Sequence, residues 1–239
     1  MRSFLIALKF LTIFPWPKAF PTTPGEIGRS AAFFPVVGLC LGAVVVLFDR
    51  LLYLYLEATL LSIVLVTVMI LLTRGFHLDG LGDTFDGLGA NGGSEEALKA
   101  MKDSRISIFG LLAIVVVLAF KFHSVAVMES YLGLLVAPIL SRWAMVVLAY
   151  GSQPAHAGLG QIMVENVRGR HLLFATLFAL ATATIFSGRV GLWIAFWVSL
   201  VALLGRSYFH RRLGGVTGDT FGAVAEITEA LSFVIFVSI

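Results

Sequence analysis

The sequence predicts an all-α, polytopic membrane helix bundle with about seven transmembrane helices and acidic, glycine-rich cytoplasmic loops. Of its 239 residues, 59% are hydrophobic and 13% are charged, against about 45–50% and about 25% in soluble domains. The apolar runs are continuous and do not alternate with polar residues, as the strands of a membrane barrel would. We expect a single integral membrane domain over residues 1–239.

Several apolar stretches have about the length needed to cross a bilayer, which takes about 20 residues. The fifth and sixth are short and predict a tight helical hairpin around Gly188. Residues 3–14 are also apolar except for Lys9, and whether they span, re-enter or lie on the membrane is left open. The seven predicted spans are residues 31–48, 58–74, 108–128, 131–150, 171–187, 190–205 and 222–239.

The distribution of basic residues supports this topology. With the N-terminus inside and seven crossings, the inside segments hold 13 of the 17 Lys and Arg residues, and the outside segments hold only Arg50 and Arg189. Because Lys and Arg concentrate in cytoplasmic loops, we expect a multi-pass protein of the cytoplasmic (inner) membrane. Its N-terminus and active-site loops would be cytoplasmic. The net charge of +3 is small and does not indicate nucleic-acid binding.

The segment after the second predicted span holds the most informative motif. Asp79, Asp83 and Asp86 are spaced i, i+4 and i+7, which places them on one face of a helix. Residues 75–98 contain no Lys or Arg, so the three carboxylates would repel one another without a bound cation. Carboxylates without His or Cys partners favour Mg²⁺ or Mn²⁺, and Mg²⁺ also binds phosphate oxygens. We predict a metal or diphosphate site, against the alternative that these acids only solvate a loop.

Further candidate residues flank this motif. Asp103 and Arg105 lie at the end of a short cytoplasmic helix predicted at about residues 94–106, where they complete the metal site or bind a phosphate. His77 lies at the membrane edge and is as compatible with a structural role as with substrate binding. The many glycines of the segment allow close approach of a ligand or of a neighbouring helix.

A second polar segment, residues 205–229, precedes and enters the last predicted span. Its glycine-rich turn, with Gly215 and Thr217, comes before a helix N-terminus, where backbone N–H groups bind anions. Arg211 belongs to a basic cluster that fits either a substrate or anionic lipid. Asp219 is a candidate metal ligand or general base.

Two acids lie inside the last predicted span. Glu226 and Glu229 are spaced i, i+3 in an otherwise apolar helix. Because acids within membrane helices are rare and commonly functional, we assign both to substrate binding. Glu226 is also a candidate to assist Asp219 in binding a metal or accepting a proton.

Four stretches of the chain match motifs of one family, in order and across most of its length. They read RSAAFFPVVGLCLG, HLDGLGDTFDGLG, MKDSRISIFG and GGVTGDTFGAVAEITEAL, at residues 29–42, 77–89, 101–110 and 214–231. On these motifs the chain resembles the cobalamin synthase family, the adenosylcobinamide-GDP ribazoletransferases. It departs from the family at Ile13 and Ser107, and the acidic residues stay intact.

The resemblance implies a reaction and its participants. The alcohol of α-ribazole, or of its 5′-phosphate, attacks the phosphate joined to cobinamide in adenosylcobinamide-GDP, and GMP leaves. The family's metal is Mg²⁺ and its surroundings are membrane lipid. A homo-oligomer and contacts with other cobalamin-pathway enzymes are left open. In this scheme the metal ligands are Asp79, Asp83 and Asp86, the catalytic residues are Asp83, Asp103, Arg105 and Asp219, and the substrate-binding residues are His77, Arg105, Arg211, Gly215, Thr217, Glu226 and Glu229.

Two other functional classes fit the sequence less well. CDP-alcohol phosphotransferases and UbiA-type prenyltransferases also place aspartates on membrane helices. The Ala-Arg element of the former is absent here, and the second polar segment is not an Asp-rich motif. A transporter would use acids within spans and broken helices, but its polar residues would lie near the midplane. Here they collect at one face, and the sequence has no visible repeat.

Overall fold

The all-α prediction is confirmed. A computed structural model describes residues 1–14 and 21–239, and within these ranges the chain is helical apart from connecting segments and one isolated bridge between Pro154 and Val216. The turn Ala31–Phe33 is a short 3-10 helix. The α-helices are α1 (Arg2–Leu11), α2 (Pro24–Ser30), α3 (Phe34–Leu52), α4 (Ala58–Leu72), α5 (Phe76–Gly89), α6 (Ser94–Ala100), α7 (Ile108–Ala126), α8 (Leu132–Ala149), α9 (Leu159–Asn166), α10 (Gly169–Leu213) and α11 (Gly218–Ser238).

Several helical segments are long and apolar enough to cross a membrane, as a multi-pass protein requires. Helices α4 and α5 add a further candidate if they are counted as one span, bent by 86°. The bend follows from two consecutive left-handed residues, Arg74 (φ 58°) and Gly75 (φ 67°). The predicted count of seven is not confirmed, because the segments found in the described part of the chain number five, or six with the bent pair. The five are Pro24–Leu52, Ile108–Ala126, Leu132–Ala149, Gly169–Leu213 and Gly218–Ser238.

The hairpin predicted around Gly188 is present inside α10. Gly188 has φ 55° and ψ −129°, which lies outside the helical range. A Cβ on Gly191 would clash with the backbone of Ala183, although residues eight apart in a straight helix are separated by about 12 Å. Helix α10 therefore consists of two arms that fold against each other. Small buried residues, including Ala175 and Ala179, line the first arm and allow this close packing.

Helix α8 forms the centre of the bundle, and nearly all of its side chains are buried. It packs against α3, α10 and α11. Its contact with α3 depends on Gly38 and Gly42, because a Cβ on Gly42 would lie 2.7 Å from the carbonyl oxygen of Leu134. Small residues allow membrane helices to pack this closely. Because the hydrophobic effect does not drive helices together within lipid, van der Waals contacts stabilise the packing.

The short helices gather at one face of the bundle. Helix α1 has 10 residues, too few to span a bilayer, and packs on α2, which in turn packs on α9. Helix α9 lies against the glycine-rich turn before α11, where Gly160 contacts Val216 and Thr217. The predicted short helix near residue 94 is present as α6 but ends at Ala100, earlier than expected.

Candidate active site

Helix α5 carries two of the predicted metal ligands on one face. It begins at Phe76, directly after the left-handed Gly75 turns the chain out of α4. Asp79 is exposed, and Asp83, one turn later, is half-buried. The i, i+4 spacing therefore places both carboxylates on the same side of α5, as expected.

Glycines bring Asp219 close to these two aspartates. Helix α5 crosses the first turns of α11 at Gly80 and Gly222. A Cβ on Gly80 would lie 2.8 Å from the backbone oxygen of Asp219, and a Cβ on Gly222 would lie 2.9 Å from the backbone oxygen of His77. A larger residue at either position would push the two helices apart. The crossing thus determines the position of Asp219 relative to α5.

Four predicted site residues open into one cavity of about 540 Å³, which we term the acidic cavity. It lies between α5, the connection from α6 to α7, and the start of α11. Its wall combines carboxylates, one lysine and aliphatic side chains. The lining residues are Asp79, Gly82, Asp83, Met101, Lys102, Asp103, Ser104, Ile106, Ile114 and Asp219.

The acidic cavity offers carboxylates for a metal but no closed protein cage. Among residues 1–14 and 21–239, no three His, Cys, Asp or Glu side chains converge closely enough to hold an ion unaided. Mg²⁺ usually takes one or two carboxylates together with waters and substrate phosphates. The oxygen donors of Asp79, Asp83 and Asp219 therefore fit a Mg²⁺ ion that arrives with a phosphorylated substrate.

Asp86, the third predicted metal ligand, does not line the acidic cavity. Its carboxylate is buried and accepts hydrogen bonds from the hydroxyl of Ser107, from the N–H of Ser107 (3.1 Å) and from the N–H of Gly110 (2.8 Å). These N–H groups belong to the start of α7, where the first turn lacks intrahelical partners. The start of α7 covers this part of the α5 face. The structure thus gives Asp86 a helix-capping role, and its metal binding stays a prediction.

Asp103 and Arg105 bind each other beside the acidic cavity. The guanidinium donates through Nη2 to Oδ2 (2.8 Å) and through Nε to Oδ1 (3.1 Å). These bonds from Arg105 lower the pKa of Asp103 to about 2. The Arg105 side chain is 87% exposed and that of Asp103 41%, so water screens the pair strongly. Arg105 can therefore exchange this partner for a substrate phosphate.

Arg212, which sequence reasoning left without a role, fixes the glycine-rich loop between α5 and α6. Its neighbour Arg211, predicted to bind substrate, is exposed and donates to Ser207 one turn back on α10 (2.9 Å), outside the acidic cavity. The sequence offered one signal for this difference. Arg211 and Arg212 are adjacent in the last turn of α10, so their side chains leave the helix in different directions. The guanidinium of Arg212 donates to the carbonyl oxygens of Ala90, Gly92 and Gly93.

Gly215 and Thr217 shape the turn before α11. Gly215 has φ 159°, and a Cβ there would clash with the backbone around Pro154, so the turn packs tightly against that segment. Thr217 caps α11 by accepting from the N–H of Thr220 (3.2 Å), and its hydroxyl donates to Oδ2 of Asp219 (3.4 Å). Neither residue lines the acidic cavity, and Thr217 acts on the site through the orientation of Asp219.

Glu226 and Glu229 of α11 lie away from the acidic cavity, in what we term the buried ion network. Nζ of Lys121 lies 2.6 Å from Oε2 of Glu226 and 2.8 Å from Oε1 of Glu229. Arg142 binds the other carboxylate oxygen of Glu229, which also accepts from Ser141 (3.1 Å). All five side chains are buried. The network therefore joins α7, α8 and α11 in the interior of the bundle.

The structure places Glu226, Glu229 and His77 in or beside the buried ion network, and their predicted substrate-binding roles stay predictions. The two glutamates are compensated by Lys121 and Arg142, so the network has no net charge. His77 is buried, with Nδ1 3.5 Å from Nη2 of Arg142, and its Nε2 has no partner among the described residues. Sequence reasoning missed both bases, although a charge inside an apolar span signals a partner of opposite charge.

Comparisons with known proteins agree with the sequence motifs. A model of the family described as Cobalamin-5-phosphate synthase matches residues 3–237. A relative named adenosylcobinamide-GDP ribazoletransferase from Geotalea daltonii is 37% identical over 242 residues, covering 100% of this chain and 98% of the relative. One of the same name from Syntrophobacter fumaroxidans is 40% identical over 232 residues, covering 94% of each chain. No solved structure matches. The chain therefore belongs to the cobalamin-5-phosphate synthase family.

Proposed function

We propose that the protein joins α-ribazole, or its 5′-phosphate, to adenosylcobinamide-GDP, releasing GMP and forming adenosylcobalamin or its 5′-phosphate. The observation that carries this proposal is the family match over residues 3–237, together with full-length relatives named for this transfer. The match favours this activity over CDP-alcohol transfer, prenyl transfer and transport. The acidic cavity supplies a site with suitable chemistry.

The reaction exchanges one bond to phosphorus for another. An alcohol oxygen of the ribazole attacks the phosphorus joined to cobinamide, the bond from that phosphorus to GMP breaks, and the hydroxyl proton is released. Such transfers need little covalent participation by the protein, because positioning and electrostatic stabilisation contribute most of the rate. The residues around the acidic cavity can supply both.

Asp79 and Asp83 are the residues that would hold Mg²⁺, with Asp219 across the crossing of α5 and α11. When bound, the ion offsets the negative charge that develops on the departing GMP. Asp219, whose carboxylate accepts a hydrogen bond from the hydroxyl of Thr217, is our candidate for the base that takes the alcohol proton. Arg105 binds a phosphate once it leaves Asp103.

The orientation belongs to the same proposal. In the predicted seven-span topology, 13 of the 17 Lys and Arg residues fall in inside segments, and the residues of the acidic cavity fall on that same side. This bias supports a cytoplasmic face for the cavity in a cytoplasmic (inner) membrane. Water-soluble substrates such as a ribazole would then reach the site without crossing lipid.

The proposal is tested by GMP release from purified protein in lipid vesicles, given both substrates with and without Mg²⁺. Asp83→Asn should lower turnover about 100-fold or more, because it removes a charge from the metal-binding face. Glu165→Gln is the matched control, since Glu165 is exposed and its carboxylate accepts a hydrogen bond from Gln161 on its own helix. Full GMP release by Asp83→Asn, or unchanged release in excess chelator, would contradict the assigned roles.

A further inference from the structure

A second cavity adjoins the acidic cavity. It has a volume of about 640 Å³ and is lined in part by Arg74, Thr12 and Thr73. Asp79 and Ile114 line both cavities, so a ligand of moderate length can occupy the two at once. We term this second space the Arg74 cavity.

Arg74 is the cation of this space, and its guanidinium is free. It makes no hydrogen bond or ion pair with any residue in the ranges that the structure describes, and its side chain is exposed. Asp79 lines the same cavity and forms no ion pair with it. Arg74 also holds a left-handed backbone conformation (φ 58°), the only non-glycine residue among those described to do so. A functional explanation is worth seeking for such a residue.

The hydroxyl groups of the Arg74 cavity are already engaged. Thr12 donates to the carbonyl oxygen of Leu8 (2.6 Å), and Thr73 donates to the carbonyl oxygen of Met69 (3.2 Å). Arg74 therefore supplies the free donors of the cavity wall. A guanidinium binds phosphate through two parallel hydrogen bonds, which a single hydroxyl cannot do.

The two candidate nucleophiles differ by one phosphate. A phosphate monoester carries about −1.5 to −2 charges at neutral pH, and it would be repelled from the carboxylates of the acidic cavity. Its attacking hydroxyl and its phosphate are held on one ribose ring, so both groups must lie close together. When the hydroxyl is in the acidic cavity, the phosphate therefore needs an adjoining space with an unpaired cation.

We propose that Arg74 is the binding residue for the 5′-phosphate of the nucleoside substrate, and that the Arg74 cavity is the subsite for this phosphate. This proposal rests on the proposed function. The phosphate lies on the far side of Asp79 from the diphosphate of the second substrate.

The test compares α-ribazole 5′-phosphate with α-ribazole in two measurements on the full chain, the affinity without turnover and the kinetics of GMP release. Arg74→Ala should weaken binding of the phosphorylated nucleoside and raise its KM by about tenfold or more. Its values for α-ribazole should change less than about twofold, and Arg74→Lys should recover part of the loss. Arg189→Ala is the matched control, since Arg189 is exposed and lines neither cavity.

Three outcomes would overturn the proposal. Equal losses for both nucleosides would assign Arg74 to general folding. A raised KM for adenosylcobinamide-GDP alone would assign it to the diphosphate. A loss seen only in vesicles containing phosphatidylglycerol, and not in phosphatidylcholine, would assign it to a lipid headgroup. The binding measurement tests the role of Arg74 even if the protein releases no GMP. A lack of GMP release would count against the proposed function and not against the role of Arg74.

Discussion

At the scale of single residues, the buried ion network depends on every member having its partner. Burial removes Lys121, Arg142 and the two glutamates from water, and their mutual attraction compensates for that loss only while all are present. Glu229 is the central member, because it forms ion pairs with both bases, whereas the one ion pair of Glu226 among the described residues is with Lys121. The two glutamates should therefore differ in their effect on stability.

Glu229→Gln is expected to destabilise the protein by about 3–5 kcal/mol, because it leaves Arg142 as an uncompensated buried charge. Glu226→Gln should cost less, since Lys121 keeps its bond to Glu229. The difference in stability is measured by heating each variant in detergent and recording the temperature at which half of the monodisperse size-exclusion peak is lost. Equal midpoints for the two variants would show that the network is not arranged around Glu229.

Residue spacing predicted part of the candidate site and missed the rest for physical reasons. The i, i+4 spacing was sufficient to place Asp79 and Asp83 on one face, because it depends only on helix geometry. The hydrogen bonds of Asp86 to the start of α7 could not be predicted, since they depend on how α7 packs over α5. The pairing of Lys121 with Glu226 joins residues 105 positions apart, and helical periodicity carries no information at that separation.

At the scale of helices, the site is controlled by the crossing of α5 and α11. The close approach at Gly80 and Gly222 leaves no space for a side chain. Because Asp219 lies on the far helix, its distance from the carboxylates of α5 follows the separation of the two axes. Catalytic geometry is sensitive to such shifts, and a displacement of about 1 Å can lower the rate about 100-fold.

Gly80→Ala should therefore reduce turnover strongly in protein that still folds, because the added methyl group meets the backbone of Asp219 at 2.8 Å. Gly205→Ala is the matched control, since its Cβ would have its nearest neighbour, the ring of Phe209, at 3.4 Å. The turnover number and the Mg²⁺ concentration for half-maximal activity are the measurements. If the turnover number and the half-maximal Mg²⁺ concentration of Gly80→Ala were both normal, the close approach of α5 and α11 would not control catalysis.

At the scale of the whole molecule, hydropathy predicted the bundle but not the count of spans. Continuous apolar runs gave the helical class, and Gly188 marked the fold-back of α10. The predicted span 58–74 corresponds to α4, which ends two residues earlier at Leu72, but hydropathy did not show that α5 follows it at an angle of 86°. This break comes from left-handed backbone at Arg74 and Gly75. Hydropathy does not report the conformation of single residues.

The predicted orientation can be measured by cysteine labelling, because Cys40 is the only native cysteine. In a Cys40→Ala background, Ser104→Cys should react with a membrane-impermeant maleimide only from the cytoplasmic side. Tyr55→Cys, in the exposed connection between α3 and α4, should react only from the opposite side. Labelling of intact cells and of inverted vesicles distinguishes the two. The reverse pattern would invert the topology and place the acidic cavity outside.

The neutrality of the buried ion network has a consequence for biogenesis. A lone α7 brings Lys121 into the hydrocarbon without its counter-ion, and a central lysine disfavours insertion by about 2.5–3.5 kcal/mol. The same holds for α8 with Arg142 and for α11 with Glu226 and Glu229. Each of these helices therefore inserts into the bilayer less favourably alone than together with its partners. We expect α7 and α8 to remain unassembled at the membrane until α11 has been synthesised and can pair with them.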